Sequence, residues 1–143
     1  MRKQLLLSVV LLFILTAFSS SKNKEQRSCR QSNIQPAAEP NWIGLLETDT
    51  ELEVLYSLTN CDNQKKMLLK YFNEVPNAQQ IKFNVTLKYS GYVLETEKLK
   101  SVSANQLIAA DCSVSDSTMF VLLPPQWELD RVTVTARLIE VNQ

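Results

Sequence analysis

Histidine is absent from this sequence, and glycine occurs only twice, at Gly44 and Gly91. Two isolated glycines exclude a glycine-rich loop of the kind that cradles phosphate groups. Without histidine, acid–base chemistry depends on carboxylates, lysine or tyrosine, and a cysteine nucleophile lacks its usual base. A pair of glycosidase carboxylates needs a cleft, which a small domain without long insertions does not offer. The composition therefore predicts a protein that is not an enzyme, with no catalytic residue and no cofactor.

Cysteine is also scarce, with three residues at Cys29, Cys61 and Cys112. There is no C-x-x-C pair, so neither cysteine nor histidine spacing predicts a metal site. The acidic neighbour Asp111 disfavours a reactive thiolate at Cys112. A crosslink is the favoured interpretation, and Cys61–Cys112 is the favoured pair because both lie at the edges of strand-like runs, which leaves Cys29 free or intermolecular. The alternative is three unpaired thiols, with Cys61 and Cys112 buried as small apolar groups.

The longest apolar run lies near the start of the chain, at residues 5–18, directly after Arg2 and Lys3. A positive start and a short apolar run are typical of a secretory signal peptide, and small residues predict cleavage near Ser19. An uncleaved anchor is the alternative, although the run is short for a membrane span. A lipoprotein is disfavoured because Cys29 lies well beyond the run. We expect residues 1–19 to be a signal peptide and the mature protein to be secreted or periplasmic, with membrane contact only through an unprocessed segment.

Neither sign of charge dominates, with 15 basic and 15 acidic residues. Losing Arg2 and Lys3 with the signal peptide leaves 13 basic residues against the same 15 acidic ones. The basic residues concentrate in the segment "KNKEQRSCR", whereas the remainder of the chain carries more acids than bases. A nucleic-acid partner is therefore not expected.

Residues 20–45 are polar, contain Pro36 and Pro40, and show no regular apolar period, so they are predicted to be a flexible linker before a domain at residues 46–143. Strand patterns then recur. The clearest is "QIKFNVTLKYS", in which apolar and polar residues alternate strictly. Ser90-Gly91 follows as a two-residue hairpin turn, which predicts that Tyr89 opposes Tyr92, Leu87 opposes Leu94 and Thr86 opposes Glu95.

About seven strands are predicted in all, and turn signals separate them at intervals typical of an all-β sandwich. The other strand-like segments are "ELEVLYSLTN", "KMLLKYFNE", "ETEKLKSVS", "NQLIAADCSV", "STMFVLLPP" and "DRVTVTARLIEV". Residues 99–110 are the least regular and have a helical turn as an alternative. The architecture is immunoglobulin-like or fibronectin-like, but the immunoglobulin signature is incomplete. No tryptophan lies between Cys61 and Cys112, and no tyrosine precedes Cys112 by two residues.

The stretch of residues 61–114 shows a cysteine, the strand "KMLLKYFNE", a turn, a long alternating strand and then "SANQLIAADCS". This order resembles small exported β-sandwich proteins of Bacteroidota, most of which are uncharacterised, over roughly the last 90 residues of the chain. The resemblance implies export and a Cys61–Cys112 disulfide. It implies no activity and no functional residues.

Two candidate binding features stand out. Four acids recur at every second position: Glu47, Asp49, Glu51 and Glu53. In an extended segment they would line one face and attract a hard cation or a basic partner. Their spacing is wide for a single ion, and an acidic edge strand also discourages edge-to-edge pairing, which is the simpler interpretation.

The second candidate is Trp127, which follows the rigid pair Pro124-Pro125 in a predicted loop. Such a loop presents an aromatic ring to a partner, although a tryptophan there also closes one end of a core. Asn84-Val85-Thr86 matches the glycosylation sequon, and in a bacterial protein the match is accidental.

Together these features predict an exported binding or interaction module whose partner is an unknown protein or envelope component. Two alternatives remain open. One is a structural envelope protein that assembles through sheet edges or Cys29. The other is a small inhibitor or accessory subunit of an extracytoplasmic enzyme.

Overall fold

Residues 39–143 are described by the computed structural model, and their regular structure is almost entirely antiparallel β-strand. Eight strands form two sheets, which confirms the predicted all-β sandwich. In chain order they are β1 (Ile43–Glu47), β2 (Leu52–Cys61), β3 (Gln64–Asn73), β4 (Gln79–Tyr89), β5 (Tyr92–Val102), β6 (Leu107–Ala109), β7 (Phe120–Leu123) and β8 (Thr133–Asn142). The expected signal peptide, most of the expected linker and Cys29 lie outside the described residues.

The larger sheet is built around the hairpin of β2 and β3, which pair along all ten residues of each strand. β1 pairs with the free side of β2, and its register shifts between Gly44 and Leu46. β6 and β7 both pair with the other side of β3. The sheet is therefore four strands wide, because β6 and β7 share one position.

β6 and β7 are two pieces of a single edge strand. Both run antiparallel to β3, β6 against residues 70–72 and β7 against residues 65–68. Between them, the carbonyl of Leu69 accepts a hydrogen bond from the Ala110 N–H at 3.0 Å, and the Leu69 N–H donates to the Met119 carbonyl at 2.8 Å. Residues 111–118, called here the edge loop, therefore leave the sheet and rejoin it at the same residue of β3.

The smaller sheet has the order β5-β4-β8. The predicted pairs Tyr89–Tyr92, Leu87–Leu94 and Thr86–Glu95 are all confirmed. Ser90 and Gly91 have φ angles of 46° and 86°, the left-handed conformation that a two-residue hairpin turn requires. The alternative helical turn at residues 99–110 does not form, because β5 stays paired with β4 through Val102 and the chain then returns to β3 as β6.

The core lies between the inner faces of the two sheets. β4 contributes Ile81, Phe83, Val85 and Leu87, all with 0% exposure. The Phe83 ring meets that of Tyr71 edge-on, with centroids 6.3 Å apart. The inner face of the larger sheet is formed largely by Leu52, Val54, Met67, Leu69, Tyr71 and Val121. Burying each large apolar side chain stabilises the fold by roughly 1.5–3 kcal/mol.

Candidate functional site

The outer faces of the two sheets differ in chemistry. The outer face of the smaller sheet is mostly polar, as expected for a sheet with one solvated side. Its polar residues are Lys82, Asn84, Thr86, Lys88, Glu95, Glu97, Thr133, Thr135 and Arg137. The sheet also has exposed apolar side chains on both of its edge strands, namely Tyr92, Val93 and Leu99 on β5 and Leu138 and Ile139 on β8.

The outer face of the larger sheet is rich in apolar and aromatic side chains. Because directly paired residues share a face, the pairs Leu55–Lys70, Ser57–Leu68 and Glu53–Phe72 lie opposite the core. On β6 and β7 the same face carries Leu107, Phe120 and Leu122. The outer apolar face is defined here as Trp42, Leu55, Leu68, Phe72, Leu107, Phe120 and Leu122. It is the strongest candidate for an interaction surface in residues 39–143.

Part of this face is already closed to solvent, because Cys61 shares the face and its bridge to Cys112 brings the edge loop beside Lys66. Leu68 is 1% exposed and Ser57 is 2% exposed, although no second sheet covers them. Trp42 and Phe120 are half-buried and pack against the buried cluster that includes Leu68. At the edge, by contrast, Leu107 and Leu122 are each 52% exposed. The face therefore has a packed aromatic centre and an exposed aliphatic margin.

Two lysines lie over the aromatic rings of this face. The Lys70 ammonium is 5.7 Å from the centre of the Trp42 ring, and the Lys66 ammonium is 4.8 Å from that of Phe120. Lys66 also donates a hydrogen bond to the Cys112 carbonyl at 3.1 Å. Cation–π contacts of this kind contribute roughly 0.5–1 kcal/mol each at exposed sites. Lys70 is half-buried and keeps its charge near the surface, whereas Lys66 is only 7% exposed.

The four acids predicted as a binding stripe do not form one. β1 ends at Glu47, the chain turns through Asp49, and Glu51 has a positive φ of 55° before β2 begins. The segment is thus a hairpin, and Glu47 and Glu53 are brought directly opposite each other. Like charges in direct cross-strand pairs are unfavourable. Within residues 39–143, no cluster of three or more acidic, cysteine or histidine side chains could hold a metal ion.

The acidic hairpin is fixed by its neutral polar side chains. The Thr50 hydroxyl donates to the Gln79 amide oxygen at 2.8 Å, and the Gln79 amide nitrogen donates to the Thr50 carbonyl at 2.7 Å. The Leu52 N–H donates to the Thr48 hydroxyl at 3.1 Å. Because these bonds tie the turn to the start of β4, the carboxylates project from a rigid hairpin at one end of the sheet.

Trp127 is not an exposed binding residue. Its side chain is 3% exposed, and its ring stacks on that of Tyr89 with centroids 5.4 Å apart. The Lys65 ammonium donates to its carbonyl at 2.7 Å. The alternative interpretation, that Trp127 closes one end of the core, is the one that the structure supports. Asn84, the sequon residue, is half-buried on the outer face of β4.

The predicted disulfide between Cys61 and Cys112 is present, with Cα atoms 5.1 Å apart. It joins the end of β2 to the edge loop across β3, and Cys61 is 4% exposed. The alternative of unpaired thiols is therefore wrong for these two residues. Structural disulfides persist in oxidising compartments, so this crosslink fits a protein that works outside the cytoplasm.

Lysines of β5 hold the other side of the edge loop. Lys98 occupies an inner-face position opposite Phe83 and donates to the carbonyls of Ser117 at 2.6 Å and Phe120 at 2.7 Å. Burial lowers the pKa of Lys98, and the nearby Asp116 partly opposes this shift. The buried Tyr71 hydroxyl donates to the Thr118 carbonyl at 2.9 Å, and burial raises its pKa. The loop is thus fixed from both sides of the edge.

Asp116 is the main charged anchor of the edge loop, and it provides a pH-dependent test. Its carboxylate accepts hydrogen bonds from the Lys100 ammonium at 2.7 Å and from the Thr118 N–H at 2.9 Å and hydroxyl at 2.7 Å. These bonds, that of Lys100 first, hold the pKa of Asp116 below its ordinary value. A lowered folded-state pKa gives stability that is present above the ordinary value of 3.8 and is lost as the pH falls through the folded-state value.

Asp116→Asn is therefore expected to destabilise the protein at pH 7 by about 1 kcal/mol or less, because the carboxylate is exposed to solvent. The difference from the wild type should shrink as the pH falls from 3.8 towards the lower folded-state pKa, because the unfolded wild type is protonated first and the folded wild type loses its charge only at lower pH. Urea unfolding of both proteins at several pH values checks this. A difference that stays constant down to the acid limit would contradict it.

No family model, curated protein or solved structure matches this chain. Among the described residues, no helix is both long enough and apolar enough to cross a membrane. The outer apolar face was not predicted from the sequence. The available signal was the strand "KMLLKYFNE", in which apolar residues occupy both faces, a pattern typical of a strand covered on both sides.

Proposed function

We propose that this chain is an exported, non-catalytic interaction module that binds a protein or another envelope component through its outer apolar face. The observation that carries the proposal is the contrast between the two sheets. The smaller sheet has a mostly polar outer face with apolar residues confined to its edge strands, whereas the outer face of the larger sheet combines aromatic rings, lysines and the exposed Leu107 and Leu122. Contiguous exposed apolar patches mark sites of interaction on soluble proteins.

Two observations support an extracytoplasmic location. The Cys61–Cys112 disulfide fits an oxidising compartment. The positive start and the apolar run at residues 5–18 predict a signal peptide. Both observations support a protein that is secreted or periplasmic.

The composition of the face matches that of protein interfaces. Interface cores are enriched in aromatic residues and depleted of acids, and their binding energy concentrates in a few well-packed anchors. Trp42 and Phe120 are such anchors, held in place by Lys70 and Lys66. Glu47 and Glu53 lie at one end of the face, where a polar rim is expected.

Leu122→Glu tests this function because it places a charge on the exposed margin of the face. We expect the immobilised wild-type chain to retain a specific component from a host envelope extract, and the variant to retain it at least tenfold less. Thr135→Glu, exposed on the outer face of β8, is the matched control and should retain it like the wild type. Equal retention by wild type and Leu122→Glu would overturn the proposal, since circular dichroism can verify that both are folded.

A further inference from the structure

We propose that the larger sheet recognises its partner in part through a long basic side chain, an arginine or a lysine, that enters a hollow at Gly44. The hollow is lined by residues 44–47 of β1 and 53–55 of β2 and has a volume of about 300 Å³. This volume is at the small end for ligand sites, so it suits one side chain rather than a whole small molecule. The inference rests on the proposed function, because it names what the partner presents to one end of the outer apolar face.

Gly44 lines the hollow, and the fold gives no reason for a glycine at this position. The other glycine, Gly91, has a φ of 86° and serves the hairpin turn, whereas the φ of Gly44 is not positive. The register shift that follows Gly44 needs no glycine either, since only the bulge type with a left-handed residue requires one. A Cβ atom added to Gly44 would meet no heavy atom within 4 Å, its chain neighbours apart.

A glycine inside a strand weakens the strand, and it often marks a place where a ligand or another backbone approaches closely. Since nothing in residues 39–143 occupies the space over Gly44, the missing side chain leaves room for a group that is not part of this domain. This unexplained glycine is the observation that makes the hollow a candidate site.

The walls of the hollow combine aliphatic and acidic side chains. Gly44 pairs with Leu55, and Glu47 pairs with Glu53, so all four residues share the outer face. Leu45, the extra residue at the register shift, adds to the apolar wall. Arginine and lysine match this combination, because their aliphatic stems pack on apolar surface while their charged ends stay near water.

The two carboxylates have no positively charged partner of their own. Glu47 and Glu53 are direct cross-strand neighbours and repel each other, and neither forms an ion pair within residues 39–143. Lys70 is paired with Leu55, but its ammonium lies 5.7 Å from the centre of the Trp42 ring. Trp42 and Glu53 lie on opposite sides of Leu55 along the strands. An incoming cation would therefore relieve the repulsion between the glutamates.

Small probes that reproduce one side chain test the hollow directly. Propylguanidinium matches the side chain of arginine, and butylammonium matches that of lysine. In NMR titrations of the purified full chain, we expect saturable amide shifts confined to residues 44–47 and 53–55. Uncharged propylurea and guanidinium without a stem should bind at least tenfold less tightly, because the hollow recognises both the stem and the charge. The tighter of the two probes identifies the basic residue, since only the guanidinium fork can bond both carboxylates at once.

Gly44→Leu is the deciding variant, because it fills the hollow and leaves both carboxylates in place. We expect its free energy of unfolding to be no lower than that of the wild type. Its binding of the probe and of the captured envelope component should each fall at least tenfold. The double variant Glu47→Gln/Glu53→Gln keeps the hollow but removes its charge, and it should lose binding to a similar extent.

Asp49→Asn is the matched control. It removes an exposed acid of the same hairpin that does not line the hollow, so at physiological ionic strength it should bind like the wild type. Three outcomes would overturn the inference: probe shifts spread over other surface acids, normal binding by Gly44→Leu, or a destabilised Gly44→Leu, which would show that the glycine serves the fold.

Leu122 lies on the opposite edge of the sheet from β1, so it separates this inference from the proposed function. If Leu122→Glu lost the captured component while Gly44→Leu and the double glutamine variant retained it, the basic side chain would be refuted and the proposed function would stand. If the probes bound the hollow but Leu122→Glu retained the component normally, the proposed function would fail and the site for a basic group would stand.

Discussion

Replacing both Cys61 and Cys112 with serine is expected to lower the free energy of unfolding by about 4 kcal/mol. The crosslink spans 51 residues, and by chain entropy a loop of this length stabilises the folded state by about that amount. Typical domains are stable by only about 5–15 kcal/mol, so the loss is a large fraction of the total. Urea unfolding of the oxidised wild type and the double variant measures it.

The wild type under reducing conditions serves as the control, and its unfolding midpoint should approach that of the double variant. Hydrogen exchange adds a local readout. Amides of the edge loop and β7 should exchange faster in the variant, because the crosslink ties this loop to β2. Amides of β4 report on global unfolding, since this strand is central in its sheet. A stability change below about 1 kcal/mol would contradict the assigned role.

Trp127→Ala is expected to cost about 3–5 kcal/mol, as is typical for removing a large buried aromatic side chain. The ring is 3% exposed and stacks on Tyr89, so its loss leaves a cavity at one end of the core. Trp127→Phe keeps an aromatic ring on Tyr89 and should cost clearly less. Thermal and urea unfolding give both values.

Gln126→Ala is the matched control. Gln126 is exposed and directly precedes Trp127, so this substitution should change the free energy of unfolding by no more than about 0.5 kcal/mol. Under conditions where Trp127→Phe is fully folded, its partner capture should equal that of the wild type. Loss of binding without loss of stability would restore Trp127 as a binding residue and contradict its placement in the core.

The hairpin of β4 and β5 was predictable to the level of individual pairs. A two-residue turn fixes the register, and strict alternation of apolar residues fixes which side faces the core. In β8, the alternation of apolar and polar residues was a less reliable guide to which side chains are buried. Its ladder with β4 shifts register at Lys82–Phe83, and Leu138 and Ile139 are 41% and 43% exposed. A bulge depends on the partner strand, so the pattern within one strand does not reveal it.

The candidate site was harder to predict than the fold. The period of two in the acids at residues 47–53 is compatible with a strand and with a hairpin, and the bonds between Thr50 and Gln79 that decide the matter join distant residues. The outer apolar face combines Trp42 with residues of β2, β3, β6 and β7. These meet only because β3 is paired on both sides, a tertiary arrangement that no local pattern encodes.

The position of β3 has a consequence for how the chain folds. One side of β3 pairs with β2, and the other pairs with β6 and β7. These two strands follow β4 and β5 in the sequence, so they are synthesised late. Until β6 and β7 are available, the outer edge of β3 has unpaired backbone groups, and both faces of the strand carry apolar residues. Such an open edge favours aggregation. Slow delivery of residues 107–123 should therefore reduce the yield of native protein, and a chaperone that shields β3 should increase it.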